Sequence, residues 1–529
     1  LVALVPLATL FFLLAVANWS AVYAAFAALL TAVVIATGIV GMPADAACAA
    51  ALHGAAFGLF PIGWIILSAM FLYALSVEAG ALDVMKRSVM RLSADHRVQA
   101  LLIAFSFGAF LEGAAGFGAP VAISAALLVG AGLPAFEAAC IALIANTAPV
   151  AFGALGTPIL TLSRVTNLDI QSISALAGRQ LPFFSLIIPA WMVVAMAGVQ
   201  GLWGVLPAVV VCGVSFAAVQ FSLSNFIGPS LVDVVGGIAS LLAMALFLSV
   251  WQPQKIWRHG EGLIMNPQES KKPHDSARLV VWAWAPWVFL SLTVFLWGLP
   301  SVQATLKYIA PPPTIRVPYL DGRIAKVPPA TQKPQEIEQA IYHFNWLSAT
   351  GTGILFAALI SIPWLRVSWQ RAIQIWFITL QRLRGSLATI ALMLALAFVT
   401  RYSGTDVILG LALTQTGVAY AFFAPLLGWL GVALTGSDTS SNAMFGSLQR
   451  VTAEQLGLNP LLTCTSNSTG GVMGKMIDAQ SIVVSATATG IHRQEGAILR
   501  RVFPHSLALA LLMGVLVWLQ AGPLAWMVP

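Results

Sequence analysis

The chain reads as an all-α polytopic membrane protein built from two inverted-topology repeats, each with a re-entrant helical hairpin and a broken helix. Three observations predict this. Hydrophobic residues fill 59% of the 529 positions and charged residues only 9%, too few polar side chains to cover a water-soluble fold. Two glycine-rich interruptions, GAFLEGAAGFGAP from Gly108 and GVALTGSDTSSNA from Gly431, stand 323 residues apart (108 to 431), and the same offset carries Asp83-Val84 onto Asp406-Val407 and Gly113 onto Gly436. Paired interruptions at matching places in two halves mark where such chains build binding sites. Finally, residues 81–97 carry Lys86, Arg87, Arg91 and Arg97, whereas the corresponding 404–420 carry no lysine or arginine. By the positive-inside rule, the two units point oppositely through the bilayer.

Apolar stretches recur near 1–18, 21–40, 54–77, 135–150, 183–199, 205–219, 232–250, 279–299, 344–362, 386–400 and 507–526. A span needs roughly 20 apolar residues, which leads to about twelve crossings plus the two re-entrant elements. The first stretch lacks a basic leader and a small-residue cleavage site, so it reads as a span rather than a removed signal; whether the true N-terminus is present stays open. The N-terminal half, 1–250, holds a hairpin at about 98–131 and a broken helix at about 135–160. A loop at 251–279, a span at 280–299 and a Pro-rich stretch at 300–343 lead to the C-terminal half, 344–529. Its hairpin is expected at about 421–454 and its broken helix at about 459–490.

Four basic loops set the orientation: that of 81–97; Lys255, Arg258, Lys271, Lys272 and Arg278; Arg366, Arg371, Arg382 and Arg384; and Arg493, Arg500 and Arg501. All four are placed in the cytoplasm. Parity puts the Pro-rich stretch outside, as a flexible loop. The net charge of +7 is thus an orientation signal, and no nucleic-acid partner is expected.

The hairpin tips cannot be ordinary helix. Gly113, Gly116, Gly118 and Pro120 weaken one, by about 1 kcal/mol per glycine and about 3 for proline. The second tip sets Gly436 beside Ser437, Asp438, Thr439, Ser440 and Ser441, whose side chains compete for backbone hydrogen bonds. Open backbone at membrane depth is tolerated only inside protein or along a watery cavity, and amides at helix N-termini there suit an anion. A second break follows in each half, NTAPVAFGALGTPI from Asn146 and NSTGGVMGKMIDAQSI from Asn467, with Gly153 and Gly474 each seven residues after the asparagine. Any one of these glycines could instead serve close helix packing.

Glu112, Asp438, Lys475 and Asp478 are ionisable at depth, where a charge costs about 2.5–3.5 kcal/mol on insertion scales. Glu112 and Asp438 are the candidates for proton coupling, since a carboxyl in a partly dry cavity can exchange a proton near neutrality. The plainer reading makes Asp438 a helix cap and leaves Glu112 protonated against backbone. Lys475 pairs with Asp478 across one helical turn or with a bound anion. Arg179 near a loop end reads as snorkelling, and none of the seven histidines is assigned a role. Cys48, Cys140, Cys212 and Cys464 are scattered and read as packing residues. GGVMGK from Gly470 lacks the leading glycine and trailing Ser or Thr of a phosphate-binding loop.

The strings FGAFLEGAAGFGAPVAI, NTAPVAFGALGTPI, GRQLPFFSLIIPAW, SNFIGPSLVD, LTGSDTSSNAMFGSLQ and SNSTGGVMGKMIDAQSI closely resemble bacterial lactate permeases, and the match runs nearly end to end. The resemblance implies proton-coupled uptake of L-lactate, often also D-lactate or glycolate, by a multi-pass protein of the bacterial inner membrane. Two departures are the 300–339 stretch and DAQS at Asp478–Ser481, where SPQS is expected.

A small 2-hydroxymonocarboxylate needs donors for its carboxylate, a partner for its hydroxyl and an apolar wall. The expected binding set is Gly113, Ala114, Ala115 and Gly116 through their amides, with the side chains of Asn146, Thr157, Ser437, Thr439, Ser440, Asn442, Asn467 and Ser468. No metal or other cofactor is expected; the coupling ion is H+, with Na+ left open. A membrane enzyme would need a nucleophile with its base, or a metal cluster, at depth, and the breaks offer neither. A passive organic-anion channel using the same polar tips, a sodium-coupled carboxylate transporter and a homo-oligomeric assembly remain open.

Overall fold

The computed structural model describes residues 2–15, 17, 19–114, 119–260, 262–265, 276–327, 336–491 and 494–529. Among them, nine helices are long and apolar enough to cross a membrane, or ten if Ala135–Ala145 and Val150–Thr166, bent by 65°, make one span. This is fewer than the sequence suggested. Several apolar stretches fold as shorter helices, among them Val5–Ala15 and Thr350–Trp364.

The order of elements repeats. A long helix, Ala44–Glu78 or Trp369–Ser403, ends at a left-handed glycine, Gly80 (φ 71°) or Gly404 (φ 76°), a conformation only glycine adopts without strain. A short helix follows, Ala81–Met90 or Thr405–Leu413. Next comes a pair of packed arms: hairpin 1 is His96–Ala114 with Ala119–Gly130, and hairpin 2 is Tyr420–Thr435 with Asp438–Leu456. A broken helix and another long helix, Ile170–Trp203 or Glu495–Gln520, complete each set. The two long helices that open the sets pack on one another. Gly58 makes this possible, because a Cβ there would sit 2.9 Å from the Ala391 Cα.

Small residues also close the hairpins. Ser124 Oγ donates to the Ile103 carbonyl (3.2 Å) and Ser441 Oγ to that of Gly428 (3.1 Å), which satisfies hydroxyls that lipid could not. Outside this core, the described residues of the 300–343 stretch, 300–327 and 336–343, are folded rather than open. Helix Pro300–Ile309 is followed by two small antiparallel pairs, Thr314–Arg316 with Ile341–His343 and Ile324–Lys326 with Glu336–Glu338. Three contacts dock it: Arg401 Nε to Glu338 Oε2 (3.3 Å), Arg164 Nη2 to the Ile341 carbonyl (3.1 Å) and the Tyr342 hydroxyl to the Phe60 carbonyl (3.1 Å). Neither Pro content nor mixed charge signals such docking. A second small hairpin, Lys255–Arg258 with Gly262–Met265, is pinned by the fully buried Arg97. That guanidinium reaches Asp95 (2.5 Å) and donates to the Gly201 and Lys255 carbonyls. Lys271, Lys272 and Arg493 lie outside the described residues.

Candidate functional site

The site is built where helices stop being helices. At the tip of hairpin 2, Gly436 takes a left-handed turn (φ 71°) and Ser437 is extended, its Oγ accepting from the Ser440 amide (3.2 Å). Glycine then N-cap serine is the sequence such a tip requires. Asp438, Thr439 and Ser440 therefore open the next helix with buried side chains.

Broken helix 2 approaches this tip. Pro460–Gly474 stays helical through its glycines, tightens into a 3-10 turn at Lys475–Ile477, becomes extended at Asp478 and resumes at Ala479–Ala488. The glycines here serve close approach, as the packing alternative held: Gly471 leaves room for Asp438 Oδ1, and Gly474 faces the Trp429 backbone. Lys475 Nζ donates to the Gly436 carbonyl (2.6 Å) and lies 3.4 Å from Asp478 Oδ2, while Asp478 Oδ1 caps the next helix through the Ser481 amide (2.8 Å). An ammonium has three donors. One is given to the Gly436 carbonyl, the Asp478 contact is an ion pair, and Lys475 also lines the cavity.

Broken helix 1 supplies the opposite wall. After Gly153, residues Ala154 (φ 43°), Leu155 (φ 58°) and Gly156 (φ 80°) are all left-handed, a strain of about 1–2 kcal/mol per non-glycine residue that only firm surroundings maintain. The turn presents Thr157, whose hydroxyl oxygen is 3.5 Å from that of Thr439. Gly153 faces Glu112, since a Cβ there would come within 2.8 Å of Oε1.

Between these walls lies a cavity of about 100 Å³, room for a few waters or one small acid. Of the residues singled out from sequence, Glu112, Thr157, Ser437, Asp438, Thr439, Ser440 and Lys475 line it, joined by Ser386, Thr389 and Gln480. Others form a second layer. Asp438 Oδ2 accepts from Ser468 Oγ (2.5 Å) and Asn442 Nδ2 (3.4 Å). Asn442 Nδ2 also reaches the Pro158 carbonyl (3.2 Å), and Asn467 Nδ2 donates to Asn442 Oδ1 (3.0 Å). Gln449 Nε2 donates to Asn467 Oδ1 (3.2 Å), and the Tyr420 hydroxyl to Gln449 Oε1 (2.7 Å). Asn442, Asn467 and Ser468 are thus placed to hold Asp438 and not to touch the cavity.

The first arm of hairpin 1 is described to Ala114, and Ala115 and Gly116 lie outside the described residues. Ala114 is buried. Gly113 packs against Asp233, its Cβ position 2.7 Å from that of Asp233. Asn146 is buried with no partner for either amide atom, and Glu112 Oε2 likewise has none. The sequence reading passed over Asp233, Ser386 and Thr389. The last two are three residues apart on one helix, a same-face spacing that could have drawn notice.

Membrane-length helices enclosing a small charged cavity, made where those helices break, are the anatomy of a membrane permease. The chain matches the L-lactate permease family over residues 1–522 and belongs to it. It is 45% identical to the L-lactate permease of Salmonella typhi over 537 residues (100% of this chain, 97% of that one) and 42% to the L-lactate permease of Bacillus subtilis strain 168 (100% and 97%). It is also 44% identical to the glycolate permease GlcA of Escherichia coli K12 (98% and 95%). The protein is a multi-pass permease of the bacterial inner membrane, and not an enzyme.

Proposed function

We propose that the protein is a secondary active transporter importing L-lactate, with D-lactate and glycolate as further substrates, by proton symport. Transport of a small carboxylate follows from its family. One observation carries the coupling: among the described residues lining the cavity, the charged set is one ammonium, Lys475, against two carboxyls, Glu112 and Asp438. Lys475 is already shared with Asp478. An incoming carboxylate would meet net repulsion unless a carboxyl takes a proton first, so anion and proton enter together. Their joint movement is electroneutral and avoids about 2.3 kcal/mol of opposition per 100 mV of inside-negative potential.

In this reading the Lys475 ammonium and the hydroxyls of Thr157, Ser437, Thr439 and Ser440 hold the carboxylate and hydroxyl of the substrate. The repeated element order and the charge contrast between 81–97 and 404–420 support oppositely oriented repeats, with the hairpins entering from opposite faces. The test is uptake of labelled L-lactate into proteoliposomes under an imposed pH gradient, with glycolate, pyruvate and acetate as competitors. Uphill accumulation that collapses with a protonophore is expected. Downhill equilibration alone would identify a channel, and dependence on a sodium gradient would replace the proton.

A further inference from the structure

Asp233 stands in the first turn of Val232–Val250, is 1% exposed, and has no hydrogen-bond partner on either oxygen. A buried polar group without a partner calls for an explanation, and a buried ionised carboxylate without one is the costliest kind. Its surroundings are fixed by glycine. A Cβ at Gly113 would lie 2.7 Å from both Asp233 Cβ and the Val234 amide nitrogen, and one at Gly237 would lie 2.5 Å from the Phe110 nitrogen. The end of the hairpin 1 arm and the start of this helix therefore touch backbone to backbone. Asp233 is seated against Gly113, the residue next to Glu112.

The other charged groups on the elements packed around 232–250 are remote or satisfied. Leu206–Phe226 carries none, Arg97 is paired with Asp95, and Arg164 sits near the far end of Gly153–Thr166, bonded to the Ile341 carbonyl. Lys475, from broken helix 2, lines the same cavity as Glu112. A third orphan is the buried Asn146 amide, neither atom of which has a hydrogen-bond partner. Two buried carboxyls carried on backbones in contact, in so dry a place, are costly to ionise together.

We propose that Glu112 and Asp233 together hold the one exchangeable proton of the transport cycle. The proton is taken from water on the loading side, stays on the pair while lactate occupies the cavity, and leaves to water on the other side. Glu112 faces the cavity and Asp233 lies behind it, so loading is sensed by the substrate through Glu112 alone. Asp438, whose Oδ2 is held by Ser468 and Asn442, is the cavity's fixed acceptor. The inference rests on the proton-symport reading.

The experiment compares wild type, Asp233→Asn, Glu112→Gln and the double variant in proteoliposomes, by two assays on each preparation: lactate exchange at equal pH, and accumulation driven by an imposed gradient of one pH unit. Wild type should accumulate lactate about tenfold, the limit for one proton per anion at that gradient. Asp233→Asn should exchange lactate within about threefold of wild type, under 1 kcal/mol of binding, yet accumulate none, and the double variant should be no worse coupled than either single one. Full accumulation by Asp233→Asn, or exchange and accumulation lost in proportion, overturns the proposal. A wild type that ignores the pH gradient would instead defeat the symport reading itself. A measurement on the unmodified protein stands beside these: a hydrophobic carbodiimide, which reacts with protonated carboxyls in apolar surroundings, should label Glu112 or Asp233 at pH 7 in a peptide mass map, and labelling of neither counts against the pair.

Discussion

The hydroxyl oxygens of Thr157 and Thr439 lie 3.5 Å apart across the cavity, one carried by the strained turn of broken helix 1 and the other by the first turn of hairpin 2. The two halves of the chain thus meet at a pair of groups that can each donate and accept. Thr157→Val and Thr439→Val keep shape and remove those groups. Each is expected to raise the KM for lactate exchange about 5- to 10-fold, near 1 kcal/mol for one lost hydrogen bond, and the double variant less than the product of the two, because the pair shares one ligand. Unchanged KM values in both would place the substrate elsewhere.

Lys475 tests the electrostatic frame. Lys475→Met fills the same volume but strips the Gly436 carbonyl and Asp478 of their cation. Breaking a buried pair from one side costs about 3–5 kcal/mol, so the purified variant should unfold at clearly lower temperature and bind no lactate. Lys475→Met combined with Asp478→Asn should recover much of the stability without the binding. If the single variant bound lactate normally, the ammonium would be purely structural.

Much of this was legible in the sequence, for identifiable reasons. Glycine at Gly436 and the polar run after it could hardly form continuous helix, and the i to i+3 spacing of Lys475 and Asp478 made their contact readable. Asp233 was not legible, because an acid in the first turn of an apolar helix is ordinary helix chemistry. Only the backbone contact at Gly113 sets it beside Glu112. The docking of 300–343 was equally hidden, since Arg401 and Glu338 are 63 positions apart and neither is marked by a motif.

Packing at the second hairpin gives a sharp contrast. A Cβ on Gly428 would overlap the Asn467 carbonyl, whereas one on Gly385 meets nothing within 4 Å. Gly428→Ala should force the hairpin arm off broken helix 2 and leave little folded protein in the membrane fraction. Gly385→Ala, in an exposed stretch of Trp369–Ser403, should keep full transport and gain up to about 1 kcal/mol from helix propensity. Equal tolerance of both would mean that the arm and the broken helix are not in backbone contact.

The proposed opposed orientation of the repeats rests on a comparison that labelling can decide. Gly80 and Gly404 end the paired long helices in the same left-handed conformation, and the short helices after them occupy the same place in each set. Lys86, Arg87 and Arg91 follow the first glycine; no basic residue follows the second until Arg450, in the second arm of hairpin 2. Short basic loops stay in the cytoplasm, so equivalent positions should lie on opposite faces. Arg91 and Val418 are both exposed. In a chain with the four native cysteines replaced, Arg91→Cys is expected to react with a membrane-impermeant maleimide only from the cytoplasmic face of inside-out vesicles, and Val418→Cys only on intact cells made permeable at the outer membrane. Labelling of both from one face would leave two repeats pointing the same way, and the hairpins could not then enter the cavity from opposite sides.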